Sequence, residues 1–222
     1  FGYRGVEGMI DAVQFARENQ IPYLGLCLGM QVMVIEAARN LLGEEDANST
    51  EFDQTTDHPV IDLMPDQVGV TEKGGTMRLG VYPCEISGEG VTSRAYGGTD
   101  TVVMERHRHR FEFNNSFREQ LAAVGLVATG VSPDGRLVEI VEHEGHPFMA
   151  GTQFHPEFLS GPTRPHPMFR EFIRVVSNGV VKTPNGANST TNGGNGKDSL
   201  GFERDTNSKA LHGSQSGSTT DA

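Results

Sequence analysis

The chain has 222 residues, of which 18 are Lys or Arg and 29 are Asp or Glu, so its formal net charge is -11. Such an acidic balance argues against a nucleic-acid-binding surface, which would be basic. The length suits one substantial domain, with or without a tail. No apolar run approaches the length of a membrane span, and Cys27 and Cys84 show no pairing pattern. We therefore expect a cytoplasmic protein with free thiols.

The first elements along the chain alternate between helix and buried strand. Apolar residues at helical spacing predict a helix from Val6 to Asn19, and Tyr23 to Leu26 predicts a short buried strand. A second amphipathic helix is expected from Met30 to Leu41, ended by Gly43. This order is typical of a sheet with helices on its faces. We expect an α/β fold with an open, mostly parallel sheet and flanking helices, in a flavodoxin-like three-layer arrangement.

The rest of the chain alternates polar segments with short elements. Surface loops are predicted from Glu44 to Pro59 and from Pro65 to Gly75, and Ser132 to Gly135 predicts a hairpin turn. Strands are predicted over residues 60–64, 76–86, 101–113, 126–131, 137–142 and 148–154, and short helices over 117–124 and 169–176. From 182 to 222 the segment is rich in Asn, Gly, Ser and Thr, which predicts a disordered low-complexity tail after a domain of residues 1–181.

The segment Gly25-Leu26-Cys27-Leu28-Gly29 lies between the first predicted strand and the second predicted helix. A cysteine flanked by glycines on a strand-to-helix turn has the pattern of a nucleophile elbow. The helix that follows directs its N–H groups and positive dipole end at the sulfur, which favours the thiolate. An isolated cysteine is more often a small buried apolar residue. A catalytic assignment for Cys27 therefore needs a base elsewhere in the chain.

His155 is the candidate for that base. It follows a predicted strand, where active-site residues of α/β sheets collect. Pro156 favours an extended His155, so Glu157, two positions on, would project to the same side. Glu157 can then accept a hydrogen bond from one imidazole nitrogen while the other takes the thiol proton. By itself, His-Pro-Glu could equally be an ordinary polar turn.

A second group of polar residues alternates along the predicted strand over residues 101–113. His107 and His109, two positions apart, could ligate zinc. No further ligand set stands at a matching spacing, so we expect no metal. Arg106, Arg108 and Arg110 would share the opposite face. This face is either solvated and salt-bridged, or carries an arginine that binds a carboxylate through two parallel N–H donors.

Taken together, the cysteine elbow and the distant His155-Pro156-Glu157 resemble the triad-type class I glutamine amidotransferases. Stretches 1–8, 48–52, 74–80 and 105–115 are similar to one group of that family, whose glutaminase domain lies C-terminal to a synthetase domain. The similarity runs from Phe1 to about Val176. It implies the class I glutamine amidotransferase fold and a reaction in which glutamine is hydrolysed through a thioester.

The resemblance implies a role for each site residue. Cys27 would be the nucleophile, His155 its base and Glu157 the orienting carboxylate, while the N–H of Leu28 would supply half of the oxyanion hole. The implied substrate-binding residues are Phe1, Leu28, Gly29, Met30, Gln31, Glu51 and Arg110. Glu51 suits the α-ammonium group of glutamine, and Arg110 suits its α-carboxylate. The other oxyanion donor in the family is a glycine just upstream of Phe1.

The resemblance also implies partners and the extent of the chain. We expect an N-terminally truncated fragment that lacks the first strands of its sheet. No cofactor is implied in this domain; ATP and Mg²⁺ belong to the synthetase domain, which aminates UTP to CTP with the released ammonia. Partners are L-glutamine, the synthetase domain of the same chain, and GTP as an allosteric activator through residues 65–75, which are few here and include no arginine. The full-length protein is expected to be a homotetramer.

Two other functions remain open from the sequence. An enzyme on the same fold could use another acceptor, as GMP synthase or a γ-glutamyl hydrolase does. Alternatively, the domain could be non-catalytic and mediate assembly only. Residues outside the elbow decide which acceptor receives the ammonia. Whether Cys27 reacts with an electrophile decides whether the domain is catalytic at all.

Overall fold

The computed structural model describes residues 4–63 and 77–179. Phe1, the Pro65–Gly75 segment, the predicted boundary at residue 181 and the predicted tail 182–222 lie outside the described residues. None of the helices in this described part has the length and apolar composition that crossing a bilayer requires.

Helices and strands alternate through the described residues. The helices are α1 Val6–Glu18, α2 Leu28–Ala37, α3 Val91–Tyr96, α4 Arg118–Ala123 and α5 Pro167–Ser177. The strands are β1 Tyr23–Leu26, β2 Asn48–Ser49, β3 Pro59–Leu63, β4 Arg78–Ile86, β5 Thr101–His109, β6 Phe111–Phe113, β7 Leu126–Val131, β8 Val138–His143 and β9 Met149–Thr152. A π-helical turn, Ala38–Leu42, extends α2 to Gly43, and a 3-10 turn, Pro156–Leu159, follows His155.

The main sheet contains six described strands in the order β1-β9-β8-β7-β4-β5. Within it, β1 and β9 pair in parallel, and the other four described pairings are antiparallel. The α/β class with flanking helices is confirmed, but the described sheet is mixed rather than mostly parallel. The reason is that β7, β8 and β9 follow one another through short connections, whereas parallel neighbours need a crossover of a dozen or more residues.

The sheet is covered by helices on both faces. Met149 of β9 packs in a cluster with apolar residues of α1, α2 and α4, while its neighbour Ala150 packs in a separate cluster with α3 and α5. Successive side chains of a strand point to opposite faces, so these two clusters are the two sides of one sheet. The result is a three-layer arrangement, with α3 as a helix that the sequence pattern did not indicate.

A small sheet of β2, β3 and β6 lies beside the main one, with β3 parallel to β2 and antiparallel to β6. The predicted strand 101–113 is therefore two strands. It breaks at Arg110, where the chain leaves β5 in the main sheet and enters β6 in the small sheet. The break places Arg110 at the corner between the two sheets.

Helix α2 is buried on all sides rather than amphipathic. Nine of its ten residues are buried, including Glu36 and Gln31. The prediction of a solvated face is wrong because α1 packs over it: Arg17 of α1 donates to the fully buried Glu36 carboxylate at 2.7 Å from Nη2 and 3.0 Å from Nε. A buried charge of this kind is tolerated when it is paired and hydrogen-bonded.

Two glycines allow α2 to lie directly on β1 and β9. A Cβ atom on Gly25 would stand 2.5 Å from the carbonyl carbon and oxygen of Gly29, and one on Gly151 would stand 2.8 Å from Met30 Cβ. Gly29 itself has ordinary space, since an added Cβ would meet the Tyr23 hydroxyl at 3.5 Å. That hydroxyl donates to the Gly29 carbonyl at 2.8 Å and ties β1 to the first turn of α2.

This close approach predicts that Gly25→Ala is strongly destabilising. Forcing a methyl group into backbone atoms costs on the order of 1–3 kcal/mol or more of unfolding free energy. Gly8→Ala is the matched control, because nothing lies within 4 Å of an added Cβ there, and alanine in a helix interior should stabilise by about 0.5–1 kcal/mol. Urea denaturation measures both; a Gly25→Ala protein as stable as the parent would contradict the packing described.

Candidate active site

Cys27 occupies a strained turn between β1 and α2. Its backbone has φ 52° and ψ −101°, a left-handed φ that few non-glycine residues of the described chain adopt. The N–H of Cys27 donates to the Thr152 carbonyl at 2.7 Å, and its carbonyl accepts from the N–H groups of Met30 at 3.0 Å and Gln31 at 3.2 Å. The turn is thus held from both sides, which is how strained backbone persists at functional sites.

His155 lies at the same edge of the sheet as Cys27. Strands β1 and β9 are parallel neighbours with Leu26 opposite Thr152, so the residues that follow each strand emerge together. The N–H of His155 donates to the Arg106 carbonyl of β5 at 2.8 Å, which fixes the backbone at this point.

The contact expected between His155 and Glu157 is confirmed. His155 Nδ1 lies 2.6 Å from Glu157 Oε1. The intervening backbone is a 3-10 turn rather than an extended segment, with Pro156 at its first position. A carboxylate accepts only, so Nδ1 carries the hydrogen and Nε2 is the basic nitrogen of the ring. This is the tautomer that a general base needs.

The Cys27 sulfur sits in surroundings that disfavour the thiolate. Burial raises the pKa of Cys27 to about 11; the Leu28 N–H opposes this rise, and the Glu157, Glu51 and Glu112 carboxylates add to it. The helix terminus does favour the thiolate as expected, through the Leu28 N–H, but burial and the carboxylates outweigh it. Within the described residues no hydrogen bond joins Cys27 to His155.

Glu51 interacts electrostatically with both Arg110 and the cysteine. Glu51 lies between β2 and β3, where its N–H donates to Ser49 Oγ at 3.2 Å, and Arg110 occupies the corner between β5 and β6. Burial raises the pKa of Glu51, while the Arg110 charge lowers it. Because the Glu51 carboxylate also raises the pKa of Cys27, the charged groups and the sulfur share one electrostatic neighbourhood.

The other predicted substrate-binding residues have different positions. Leu28 and Gly29 form the first turn of α2, with the Leu28 N–H acting on the sulfur. Met30 is fully buried in the core and supports the elbow from inside. Gln31 is also buried; its Nε2 contacts the Phe111 carbonyl at 3.2 Å and Gln153 Oε1 at 3.3 Å.

Gln153 is a site residue that the sequence reasoning missed. It is fully buried, and its Nε2 lies 3.7 Å from Cys27 Sγ. A signal for it existed, because Gln153 directly follows the strand end of β9, where active-site residues of α/β sheets collect.

The alternating residues of β5 divide as predicted. Arg106 and Arg108 are exposed, whereas His107 and His109 are buried with 2.9 Å between Nδ1 and Nε2. Burial, and next the nearby Arg78 charge, lower the pKa of His109 to about 3 and that of His107 further. The pair is neutral and structural. Across the described residues, no group of three or more His, Cys, Asp or Glu side chains could hold a metal ion.

Behind the pair, Arg78 of β4 lies in a buried charged cluster. Its Nη2 is 2.7 Å from Glu139 Oε1 and its Nη1 is 3.9 Å from Glu112 Oε1. Burial raises the pKa of Glu112 to about 8, against the lowering effect of Arg78.

Comparison with known proteins agrees with this geometry. A CTP synthase of Dehalococcoides mccartyi is 64% identical over 180 residues, which are 81% of this chain and 33% of that protein. A CTP synthase of Rubrobacter xylanophilus is 64% identical over 173 residues, or 78% of this chain and 31% of that protein. The chain thus spans about a third of the length of these curated relatives.

A solved structure and a family profile extend the comparison. The glutaminase domain of Trypanosoma brucei CTPS, solved with bound acivicin, superposes with a TM-score of 0.75 at 40% identity, covering 80% of this chain and 68% of that one. The family profile described as glutamine amidotransferase class-I matches residues 1–175. With this match over most of its length, and with a cysteine elbow beside a His-Glu pair, the chain belongs to the class I glutamine amidotransferase family.

Proposed function

We propose that the chain is the glutaminase part of a CTP synthase, which hydrolyses glutamine and supplies ammonia for the ATP-dependent amination of UTP. The observation that carries this proposal is the placement of Cys27 and His155 after two parallel neighbouring strands, with Glu157 on His155 Nδ1 at 2.6 Å. The similarity to curated CTP synthases supports the choice of acceptor over the alternatives on this fold.

In the first half-reaction, His155 Nε2 takes the Cys27 thiol proton as the sulfur attacks the side-chain amide carbon of glutamine. The carbonyl oxygen becomes an oxyanion and accepts the Leu28 N–H as one of its donors. The C–N bond then breaks, and His155 gives its proton to the departing nitrogen, which leaves as ammonia. Glu157 stabilises the imidazolium that exists between these two transfers.

In the second half-reaction, water hydrolyses the glutamyl thioester. His155 removes a proton from the water as its oxygen attacks the thioester carbon, and the tetrahedral intermediate expels the sulfur. The proton returns to Cys27, glutamate leaves, and the site is restored. A resting thiol with a pKa of about 11 makes His155 necessary in the first half, and activation of water makes it necessary in the second.

Charge complementarity accounts for recognition of the amino-acid end of glutamine. Glu51 holds the α-ammonium group, and the forked guanidinium of Arg110 holds the α-carboxylate. The family resemblance also assigns Phe1, Leu28, Gly29, Met30 and Gln31 to substrate binding; Gln31 and Met30 would act from buried positions. The Arg110 effect on the Glu51 pKa supports this pairing, because it shows that the two charges are close.

The proposed enzyme is cytoplasmic and contains a synthetase domain in addition to this glutaminase domain. Ammonia passes to the synthetase domain, which binds UTP, ATP and Mg²⁺, and the assembly is a homotetramer with GTP as activator. The domain of residues 1–181 needs no cofactor of its own.

Cys27→Ala in the full-length protein tests the proposal. Glutamine-dependent CTP formation should fall to background, because no thioester can form, while ammonia-dependent formation should stay at the parent level. Cys84→Ala is the matched control, since Cys84 is fully buried in β4 and should leave both activities intact. Glutamine-dependent activity that survives in Cys27→Ala would refute the assignment of the nucleophile.

Glu51→Gln should separate electrostatics from substrate binding. Removing a carboxylate that raises the Cys27 pKa should accelerate alkylation of Cys27 by neutral iodoacetamide, by about two- to tenfold. The KM for glutamine should rise about tenfold or more, because a charge-assisted hydrogen bond to the ammonium group is lost.

The matched control is Asp53→Asn in the same segment, whose carboxylate is not among those acting on Cys27. In Asp53→Asn both the alkylation rate of Cys27 and the KM for glutamine should be unchanged. In every variant alkylation should rise about tenfold per pH unit between about pH 7 and pH 9, as the thiolate fraction grows below a pKa of about 11. A Glu51→Gln protein with slower alkylation, or with an unchanged KM, would contradict the placement of Glu51.

A further inference from the structure

Gln153 stands between the end of β9 and His155, and the mechanism above gives it no task. It is fully buried, and its own N–H donates to the Glu139 carbonyl of β8 at 2.8 Å, so its backbone is fixed. Its side-chain amide spans from Gln31 to the nucleophile: Oε1 lies 3.3 Å from Gln31 Nε2, and Nε2 lies 3.7 Å from Cys27 Sγ. A buried amide requires partners at both ends, and these are the partners it has.

The direction of this amide chain is set at its far end. Gln31 Nε2 lies 3.2 Å from the Phe111 carbonyl, which can only accept a hydrogen bond. Gln31 must therefore present its NH₂ group there, and the same NH₂ group meets Gln153. Gln153 must then present its oxygen to Gln31, which leaves its NH₂ group for Cys27. A backbone carbonyl in β6 thus determines that a donor, and not an acceptor, faces the sulfur.

We propose that Gln153 is the side-chain donor that holds the Cys27 thiolate, oriented through Gln31 by the Phe111 carbonyl. This role of Gln153 rests on the proposed function, because the Cys27 sulfur that accepts its hydrogen bond is the nucleophile of that reaction. A hydrogen bond donated to sulfur favours the charged form over the neutral thiol.

The surroundings of the sulfur explain why a fixed donor is needed. Three carboxylates act on Cys27 from three separate elements: Glu51 from the β2–β3 segment, Glu112 from β6 and Glu157 from the turn after β9. All of them, together with burial, oppose the thiolate. The Leu28 N–H is the backbone donor on the other side. During the reaction the Leu28 N–H donates to the substrate oxyanion instead. Gln153 is then the donor that remains on the sulfur.

The test is the rate of Cys27 alkylation by iodoacetamide in the full-length protein, followed by mass spectrometry over a series of pH values. Gln153→Met removes the donor at similar volume and should slow alkylation about tenfold at each pH, the equivalent of one pKa unit. Gln153→Glu, which puts an anion beside the sulfur, should slow it further. Phe154→Leu is the matched control: it disturbs the adjacent core without removing the donor and should leave the rate unchanged.

Gln31→Met probes the orientation itself. Without Gln31 the Gln153 amide is free to turn, so alkylation should slow by a smaller factor than in Gln153→Met. The double variant should be no slower than Gln153→Met alone, because both substitutions remove one and the same donor.

Unchanged alkylation in a folded Gln153→Met or Gln153→Glu protein would overturn the inference. If neither folds, Gln31→Met decides by the same measurement, and an unchanged rate overturns it. The assay contains no glutamine, so the two proposals fail separately. If the Gln153 variants are alkylated more slowly but the parent protein never hydrolyses glutamine, Gln153 is the donor and the proposed function is wrong. If the parent protein hydrolyses glutamine but the variants are alkylated at the parent rate, the function holds and the role of Gln153 is wrong.

Discussion

The parallel pairing of β1 with β9 is the constraint on which the site depends. Leu26 stands opposite Thr152, and the Cys27 N–H continues the ladder with a 2.7 Å bond to the Thr152 carbonyl. This last bond holds the nucleophile in a left-handed turn at the strand end. It also fixes how far β9 runs before Gln153 and His155 emerge. A shift of one residue would send these side chains to the opposite face.

Packing above the strand pair makes this arrangement rigid. Helix α2 lies on β1 and β9 so closely that Gly25 and Gly151 have no room for a Cβ atom. The helix is buried all round, with its one carboxylate, Glu36, neutralised by Arg17. The nucleophile therefore rests on a part of the core that cannot yield without cost. Rigid elements hold catalytic groups more accurately than loops do.

The electrostatics of the site keep the Cys27 thiol weakly reactive at rest. Cys27 is partly buried, and this burial together with three carboxylates raises the pKa of its thiol to about 11, which favours the thiol at rest. A thiol with such a pKa reacts as a nucleophile only when a base removes its proton. A nucleophile of this kind is protected from adventitious electrophiles and oxidants, because both react with the thiolate.

The sequence predicted those parts of the fold that local patterns determine. The bounds of β1 and β7, the elbow, and the contact between His155 and Glu157 follow from short-range spacing, and the structure has all of them. Long-range packing decided what the patterns missed. Helix α2 loses its solvated face to α1, and the chain changes sheets at Arg110 because β6 pairs with β3.

The charge balance at the sulfur also lay beyond the sequence. A helix terminus beside Cys27 indicates a thiolate, but burial, with smaller contributions from Glu157, Glu51 and Glu112, outweighs it and raises the pKa of the thiol. Burial at this depth has no local sequence pattern, and it is the largest effect on this pKa.

The most direct test of the account is to trap the covalent intermediate. Full-length protein is mixed with glutamine, quenched in acid before one turnover is complete, and digested. Mass spectrometry then gives the masses of the peptides that contain Cys27 and Cys84. The account predicts one glutamyl group on the Cys27 peptide and none on the Cys84 peptide. Release of ammonia from glutamine without that adduct, or with the adduct on another residue, would contradict it.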